Sequence, residues 1–333
     1  MKALKLSLYD INVILIFAGF PFITSFSDYI PSILYRALAL GVSLICLWQS
    51  RFRIGTNNSL INGYLWILFL MILKVTWGMT LGEFSMYPND NVRTLIFSFS
   101  YGVVLFPLFA FISSYDRINW HSCFLIIQIM LLLCIGLGLF SYTGELTTDG
   151  RANMNARQST LAFGDNSVYL FLLSSCLYWY RNEINLNNEV IIKIICFLGI
   201  ILGIYGVMKA GSRGPLLSGI AGISFFFFKL KRKVKIRIVL LCMLLIILIG
   251  GFIISWIKDI APILYDRTMA SIETGDLSGR DVLFISALNI FFDNLLFGAT
   301  PLVLTYDSYS SFHNCYLDVA VGLGVFGFIY FIR

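Results

Sequence analysis

Lys229-Leu230-Lys231-Arg232-Lys233-Val234-Lys235-Ile236-Arg237 lies between two apolar runs, residues 213–228 and 238–257. A segment this basic does not translocate easily and stays in the cytoplasm, so it orients the spans on either side of it. Working outward from it, apolar runs near the length of a membrane-crossing helix recur along most of the chain. They fall near 11–27, 30–49, 60–79, 92–114, 121–142, 161–180, 190–208, 213–228, 238–257 and 313–332. Counting spans away from 229–237 puts Lys2, Lys5, Arg51, Arg53, Arg117, Arg181 and Lys193 inside. The same count puts Glu83, Asp90, the 143–160 loop, the Lys209–Arg213 turn and the 258–312 loop outside. The fold class expected is all-α: one integral membrane domain over 1–333, a bundle of about ten spans with a cytoplasmic N-terminus. The long outer segment 258–312 has room for short helices, and Asp281–Leu295 reads as one, with an apolar stripe at Leu283, Ala287, Ile290 and Phe291.

Composition agrees. The chain is 58% apolar and 13% charged, whereas soluble domains run to about half apolar and a quarter charged. Its 30 Phe and 17 Tyr suit lipid-facing surfaces and interface belts. The first run, from Ile11, lacks a clear small-residue cleavage site and is followed at once by further spans, so it reads as a span rather than a signal peptide. The net charge of +6 sits mostly in short connections, where it sets topology; a nucleic-acid partner is not expected. The seven cysteines (46, 123, 134, 176, 196, 242, 315) are scattered, form no CxxC pair and read as small buried hydrophobes.

Charged residues within the runs follow a pattern. Arg36, Lys74, Arg93, Asp165, Lys209, Arg213 and Asp318 all fall in outward halves of spans. Charge at membrane depth faces protein or a watered cavity, so the set points to a polar cavity open to the outside. Arg36 and Lys74 taken alone are expected to snorkel to the headgroups. Asp10, at the inner end of the first run, reads as a boundary residue.

Three outer segments carry candidate chemistry. Lys209-Ala210-Gly211-Ser212-Arg213-Gly214-Pro215 is a tight turn opening a helix. Gly211 and Gly214 permit close backbone approach, Pro215 suits a first helical turn, and free N–H groups beside Arg213 and Lys209 suit an anion. An interfacial anchor capping a short loop fits the same residues. Asp276-Leu277-Ser278-Gly279-Arg280-Asp281 places Arg280 in the first turn of the 281–295 helix, where the dipole disfavours a cation unless an anion binds; a solvated arginine is the other reading. Ser311-Phe312-His313-Asn314 precedes the last run, whose Gly322, Gly324 and Gly327 give small packing faces. The N-terminal dipole there favours neutral, proton-accepting imidazole at His313. His121, at the cytoplasmic end of its span, has no such company and reads as structural. Arg151 and Arg157 flank an outer loop that suits donor, acceptor or only solvent, and Asp318 suits a partner for His313 or an arginine. Tyr306, Tyr309, Phe312 and Tyr316 fit an interface belt better than a sugar platform.

In combination these segments resemble the O-antigen ligase and polymerase superfamily of bacterial surface-polysaccharide assembly. His313-Asn314, nine residues, then Gly324 and Gly327 fit its histidine motif. Ser212-Arg213-Gly214 fits its helix-opening turn, and Arg280 through Asp293-Asn294-Leu295-Leu296-Phe297-Gly298 fits its second outer arginine and the helix after it. The resemblance covers about 195–333 well and the first half by topology. The family pattern continues past the histidine helix; this sequence ends at Arg333.

The resemblance implies an inverting glycosyltransferase of the bacterial cytoplasmic (inner) membrane, with its site on the periplasmic face and no metal or cofactor. The donor is an undecaprenyl-diphosphate oligosaccharide. Arg213, Arg280 and Lys209 are the diphosphate-binding candidates and His313 the general base; Arg151, Arg157, Asn314 and Asp318 are further donor- or acceptor-binding candidates. The implied partners are the lipid-linked oligosaccharide, the bilayer and a chain-length regulator. The absence of an Asp-x-Asp sequence argues against a metal-bound nucleotide-sugar donor. A polymerase of O-antigen or capsule repeats is favoured over a ligase acting on lipid A-core, because nothing in the 258–312 loop suggests a dock for that core. A flippase or exporter of lipid-linked oligosaccharide is the third reading, disfavoured because the inner halves of the spans are nearly bare of charge.

Overall fold

The computed structural model describes residues 6–25, 32–51, 59–80, 100–141, 160–184, 189–211, 213–229, 258–259, 262–274, 280–299, 304–305, 308–309 and 315–332. Its helices are α1 (Leu8–Ile14), α2 (Phe20–Ser25), α3 (Ser32–Gln49), α4 (Ser59–Thr80), α5 (Phe106–Ser113) and α6 (Trp120–Phe140). They continue with α7 (Thr160–Ile184), α8 (Glu189–Ala210), α9 (Arg213–Lys229), α10 (Pro262–Thr274), α11 (Arg280–Asp293) and α12 (Cys315–Ile332). π-helical turns join α1 to α2 at Leu15–Gly19 and lead into α5 at Ser100–Leu105. A hairpin of two-residue strands, β1 (Leu304–Thr305) and β2 (Ser308–Tyr309), is the strand structure among the described residues.

This is the all-α membrane bundle that the apolar runs predict. Among the described residues, Leu8–Ser25, Trp120–Phe140 and Val190–Ala210 are long and apolar enough to cross a bilayer, and shorter apolar helices cover 33–49, 65–74, 102–113, 214–225 and 316–332. The expected span at 238–257 and the basic run after Lys229 lie outside the described residues, as does the 143–159 part of the outer loop. Large apolar side chains face outward, Trp48 at 76% and Phe140 at 90% exposure, as a chain solvated by lipid requires. The chain is a multi-pass membrane protein.

The described chain forms two compact units. One comprises Met1–Lys5, Phe17–Ser32 and Asn119–Gly275. Its centre is the α7–α8 pair, and small residues explain why these two helices lie so close. A Cβ added to Gly203 of α8 would stand 2.8 Å from the Phe171 nitrogen and 2.8 Å from the Ser167 carbonyl of α7. Gly199 and Gly206, on the same stripe, abut Ser174 and Ser167. In lipid, where apolar side chains gain nothing by leaving solvent, backbone approach of this kind is what joins helices. Fully buried Gln128 of α6 donates from Nε2 to Ser174 Oγ at 3.0 Å, and the Cys196 thiol lies 4.0 Å from its Oε1. Cys123, Cys134 and Cys196 here, and Cys46 in the other unit, are buried, as their apolar surroundings predict, and Cys176 is half-buried.

The other unit comprises Leu6–Ile16, Ile33–Ile118 and Asp276–Arg333. Asp10 lies in the first turn of α1: its carboxylate accepts from Ser7 N and Ser7 Oγ, each at 2.8 Å, while its own N–H donates to Ser7 Oγ. The pair is a capping box that fixes the start of α1. Asn12 Nδ2 donates to the Pro107 carbonyl at 3.1 Å, and Tyr35 Oη donates to the Leu15 carbonyl at 3.0 Å. The second bond supplies a partner where the π-helical turn departs from the α-helical ladder. Arg117 donates to Tyr9 Oη at 2.7 Å and sits over its ring. The start of the first run and the end of the fourth are therefore neighbours, as the span count requires.

Candidate functional site

Lys209, Arg213, Arg280 and Asp318 are the expected site residues that the described elements place. Lys209 occupies the last turn of α8, where a cation suits the helix dipole. It is half-buried, with Nζ 5.5 Å from the Tyr205 ring centroid. Gly211 follows at φ +62°, with its N–H bonded to the Met208 carbonyl at 3.3 Å. A left-handed glycine just past a helix end terminates it, which is why the chain turns here. Arg213 is the first residue of α9, as the sequence predicts, and Pro215 sits in its first turn. Pro215 packs on Gly164, where an added Cβ would come 2.7 Å from its Cγ. Gly214 differs from expectation: a Cβ there would meet nothing within 4 Å, so its value at this position is not close packing.

Arg280 is the first residue of α11, again at a helix N-terminus. The stripe predicted for this helix is the face it buries. Leu283, Ala287, Ile290 and Phe291 pack against Val321 and Leu317 of α12. After Asp293 the chain closes into turns: Asn294 N–H reaches the Ile290 carbonyl at 3.1 Å, and Gly298 N–H reaches the Asn294 carbonyl at 2.8 Å.

The segment 294–299 then lies across α12. Ala299 N–H donates to the Val321 carbonyl at 2.7 Å, and Val325 N–H to the Leu295 carbonyl at 2.8 Å. The crossing is possible because of two glycines. Gly298 has φ +71° and Gly324 φ +67°. A Cβ on Gly298 would stand 2.5 Å from the Gly324 nitrogen, and one on Gly324 would stand 2.6 Å from the Gly298 nitrogen. Only residues without a side chain meet both demands.

This corrects the expectation of one continuous last helix over 313–332. The backbone is non-helical at Gly324, where ψ is −165°. The Tyr316 and Phe331 rings lie 5.5 Å apart, although a straight helix would separate residues at that spacing by about 22 Å along its axis. The two arms of α12 bend toward each other, and the carbonyls and N–H groups released at the break are taken up by 294–299. Asp318 lies half-buried in the first turn of α12.

Lys74 is the residue that sequence reasoning undervalued. It does not snorkel. From α4 its ammonium donates to three successive carbonyls, those of Phe297 (2.5 Å), Gly298 (2.6 Å) and Ala299 (2.5 Å). Beside it runs an open, apolar groove of about 850 Å³, whose walls include Trp66, Leu70, Trp77, Phe297, Phe326 and Tyr330. The signal was a lone lysine in an apolar run; the partners lie more than 200 positions away, at |i−j| of 223 to 225.

His313, Asn314, Arg151 and Arg157 lie outside the described residues, as do Ser212, Ser278 and Gly279. Lys209 and Arg213 belong to one compact unit, Arg280 and Asp318 to the other.

No curated protein matches the chain, and no solved structure does. A family match does exist: the pattern of the family described as O-antigen ligase covers residues 198–332. That stretch holds Lys209, Arg213, Arg280, His313, Asn314 and Asp318, with the glycine crossing that joins α12 to the segment after α11. Over those 135 of its 333 residues the chain is similar to the O-antigen ligase family.

Proposed function

We propose that the protein polymerises lipid-linked oligosaccharide repeat units, of O-antigen or capsule, at the outer face of the cytoplasmic membrane. The observation that carries this reading is the order of elements within 198–332: Arg213 opens α9, Arg280 opens α11, and His313 lies two residues before α12. A helix N-terminus presents N–H groups and the positive end of a dipole, and an arginine there adds a fixed charge suited to a diphosphate. In the reaction the acceptor hydroxyl attacks the anomeric carbon of the undecaprenyl-diphosphate sugar. Its proton passes to His313 as the new C–O bond forms. The anomeric C–O bond to diphosphate breaks, with inversion, and the guanidiniums of Arg213 and Arg280 take up the charge developing on the leaving group. Lys209 adds to that field. Arg151, Arg157, Asn314 and Asp318 are assigned to holding donor or acceptor, and a chain-length regulator is the expected protein partner.

A ligase performs the same step on a different acceptor, so the acceptor is the test. Purified protein in lipid nanodiscs, given one lipid-linked repeat unit and nothing else, should lengthen it to a ladder of products. Lengthening only on addition of lipid A-core would instead make it a ligase. His313→Ala should abolish the ladder and leave lipid-linked donor accumulating on the outer side in cells; accumulation on the inner side would identify a flippase.

A further inference from the structure

Lys74 Nζ donates to the carbonyls of three successive residues, Phe297, Gly298 and Ala299. Successive carbonyls do not ordinarily point at one atom; here the left-handed Gly298 turns its neighbours' oxygens inward. The cation therefore does two things. It satisfies carbonyls that lie beside an apolar groove, where an unpaired acceptor is costly. It also fixes the conformation of 297–299, where the Ala299 N–H donates to the Val321 carbonyl of α12 and Gly298 packs against the Gly324 backbone. Segment 294–299 is the direct continuation of α11, so the pin sets how the helix opened by Arg280 sits against the helix that follows His313.

We propose that Lys74 is a positioning residue for glycosyl transfer: its ammonium pins the Phe297–Ala299 backbone across the Gly324 break, and so holds α11 and α12 in register. This rests on the polymerase reading above for its catalytic consequence, but the pin itself does not. The role is to hold backbone, which separates it from the diphosphate-binding roles proposed for Arg213 and Arg280. A misplacement of about 1 Å is enough to slow an oriented reaction on the order of 100-fold.

The test uses the full chain in nanodiscs, with hydrogen exchange and turnover of a lipid-linked repeat measured on the same samples. Lys74→Met should speed exchange of the Gly298, Ala299 and Val325 amides while peptides from α1 and α5 stay unchanged. It should lower kcat by about 100-fold with KM for the donor within about twofold. Lys74→Arg, which keeps charge and donors, should recover part of kcat. Gly298→Ala should reproduce the exchange signature by another route, and serves if Lys74→Met folds poorly. Unchanged exchange in Lys74→Met overturns the pin. Faster exchange with unchanged kcat overturns the positioning role. A raised KM with unchanged kcat and exchange makes Lys74 a diphosphate ligand and also overturns the proposal. If the wild-type protein turns over no lipid-linked repeat, the polymerase reading fails, and the exchange comparison still decides whether the pin exists.

Discussion

Two glycines of α3 and α12 show how much a single position can depend on its surroundings. Gly324 holds φ +67° with its neighbours' backbone in contact, whereas Gly41, inside α3, has nothing within 4 Å of the place a Cβ would occupy. An alanine at 324 is strained by about 1–3 kcal/mol from backbone conformation alone, before the collision with the Leu296 carbonyl. An alanine at 41 replaces glycine in a helix interior, where it gains up to about 1 kcal/mol. Thermal unfolding in detergent should therefore show Gly324→Ala losing several degrees of Tm and Gly41→Ala holding or raising it. Equal behaviour of the two variants would mean that the break at 324 is not part of the folded protein. In sequence both are glycines within apolar runs; only what crosses Gly324 distinguishes them. Lys74 teaches the same point for charge. Its isolation in an apolar run was visible, and its depth suggested either a cavity or a headgroup, but nothing local pointed to the carbonyls of 297–299.

At the scale of elements, two forces compete to join α6, α7 and α8. One is the buried hydrogen bond from Gln128 to Ser174. The other is the backbone approach at Gly199, Gly203 and Gly206. Hydrogen bonds between membrane helices average about 0.6 kcal/mol, while forcing volume into a close contact costs about 1–3 kcal/mol. Packing should dominate. Gly203→Val is expected to lower stability by at least about 2 kcal/mol, and Ser174→Ala by less than about 1 kcal/mol, measured by the same unfolding assay. The reverse order would show the polar pair, not the glycine stripe, to be the principal joint. The element borders themselves were largely legible. Arg213 and Arg280 open helices as predicted, because punctuation by Gly, Ser and Pro and the periodicity of Leu283, Ala287, Ile290 and Phe291 are local signals. The break in α12 was not, because a glycine in an apolar stretch marks a small face or a reversal equally well.

For the whole molecule, the basic run at 229–237 makes the sidedness of every span a single claim. With the seven native cysteines replaced, Lys233→Cys should resist a membrane-impermeant maleimide in intact cells and Asn155→Cys should react; the opposite pattern would invert the site and remove its access to exported substrate. The contact of Arg117 with Tyr9 already joins two ends that the count assigns to one side. The sequence by itself determined that the chain is helical, that it crosses the membrane repeatedly, and where the helices bearing Arg213 and Arg280 begin, since length, hydropathy, charge and capping act over a few residues. Only the tertiary structure decided that the last helix is broken, that 294–299 fills the break, and that Lys74 holds it. Each of those depends on backbone groups far apart in sequence satisfying one another, because lipid offers them no other partner.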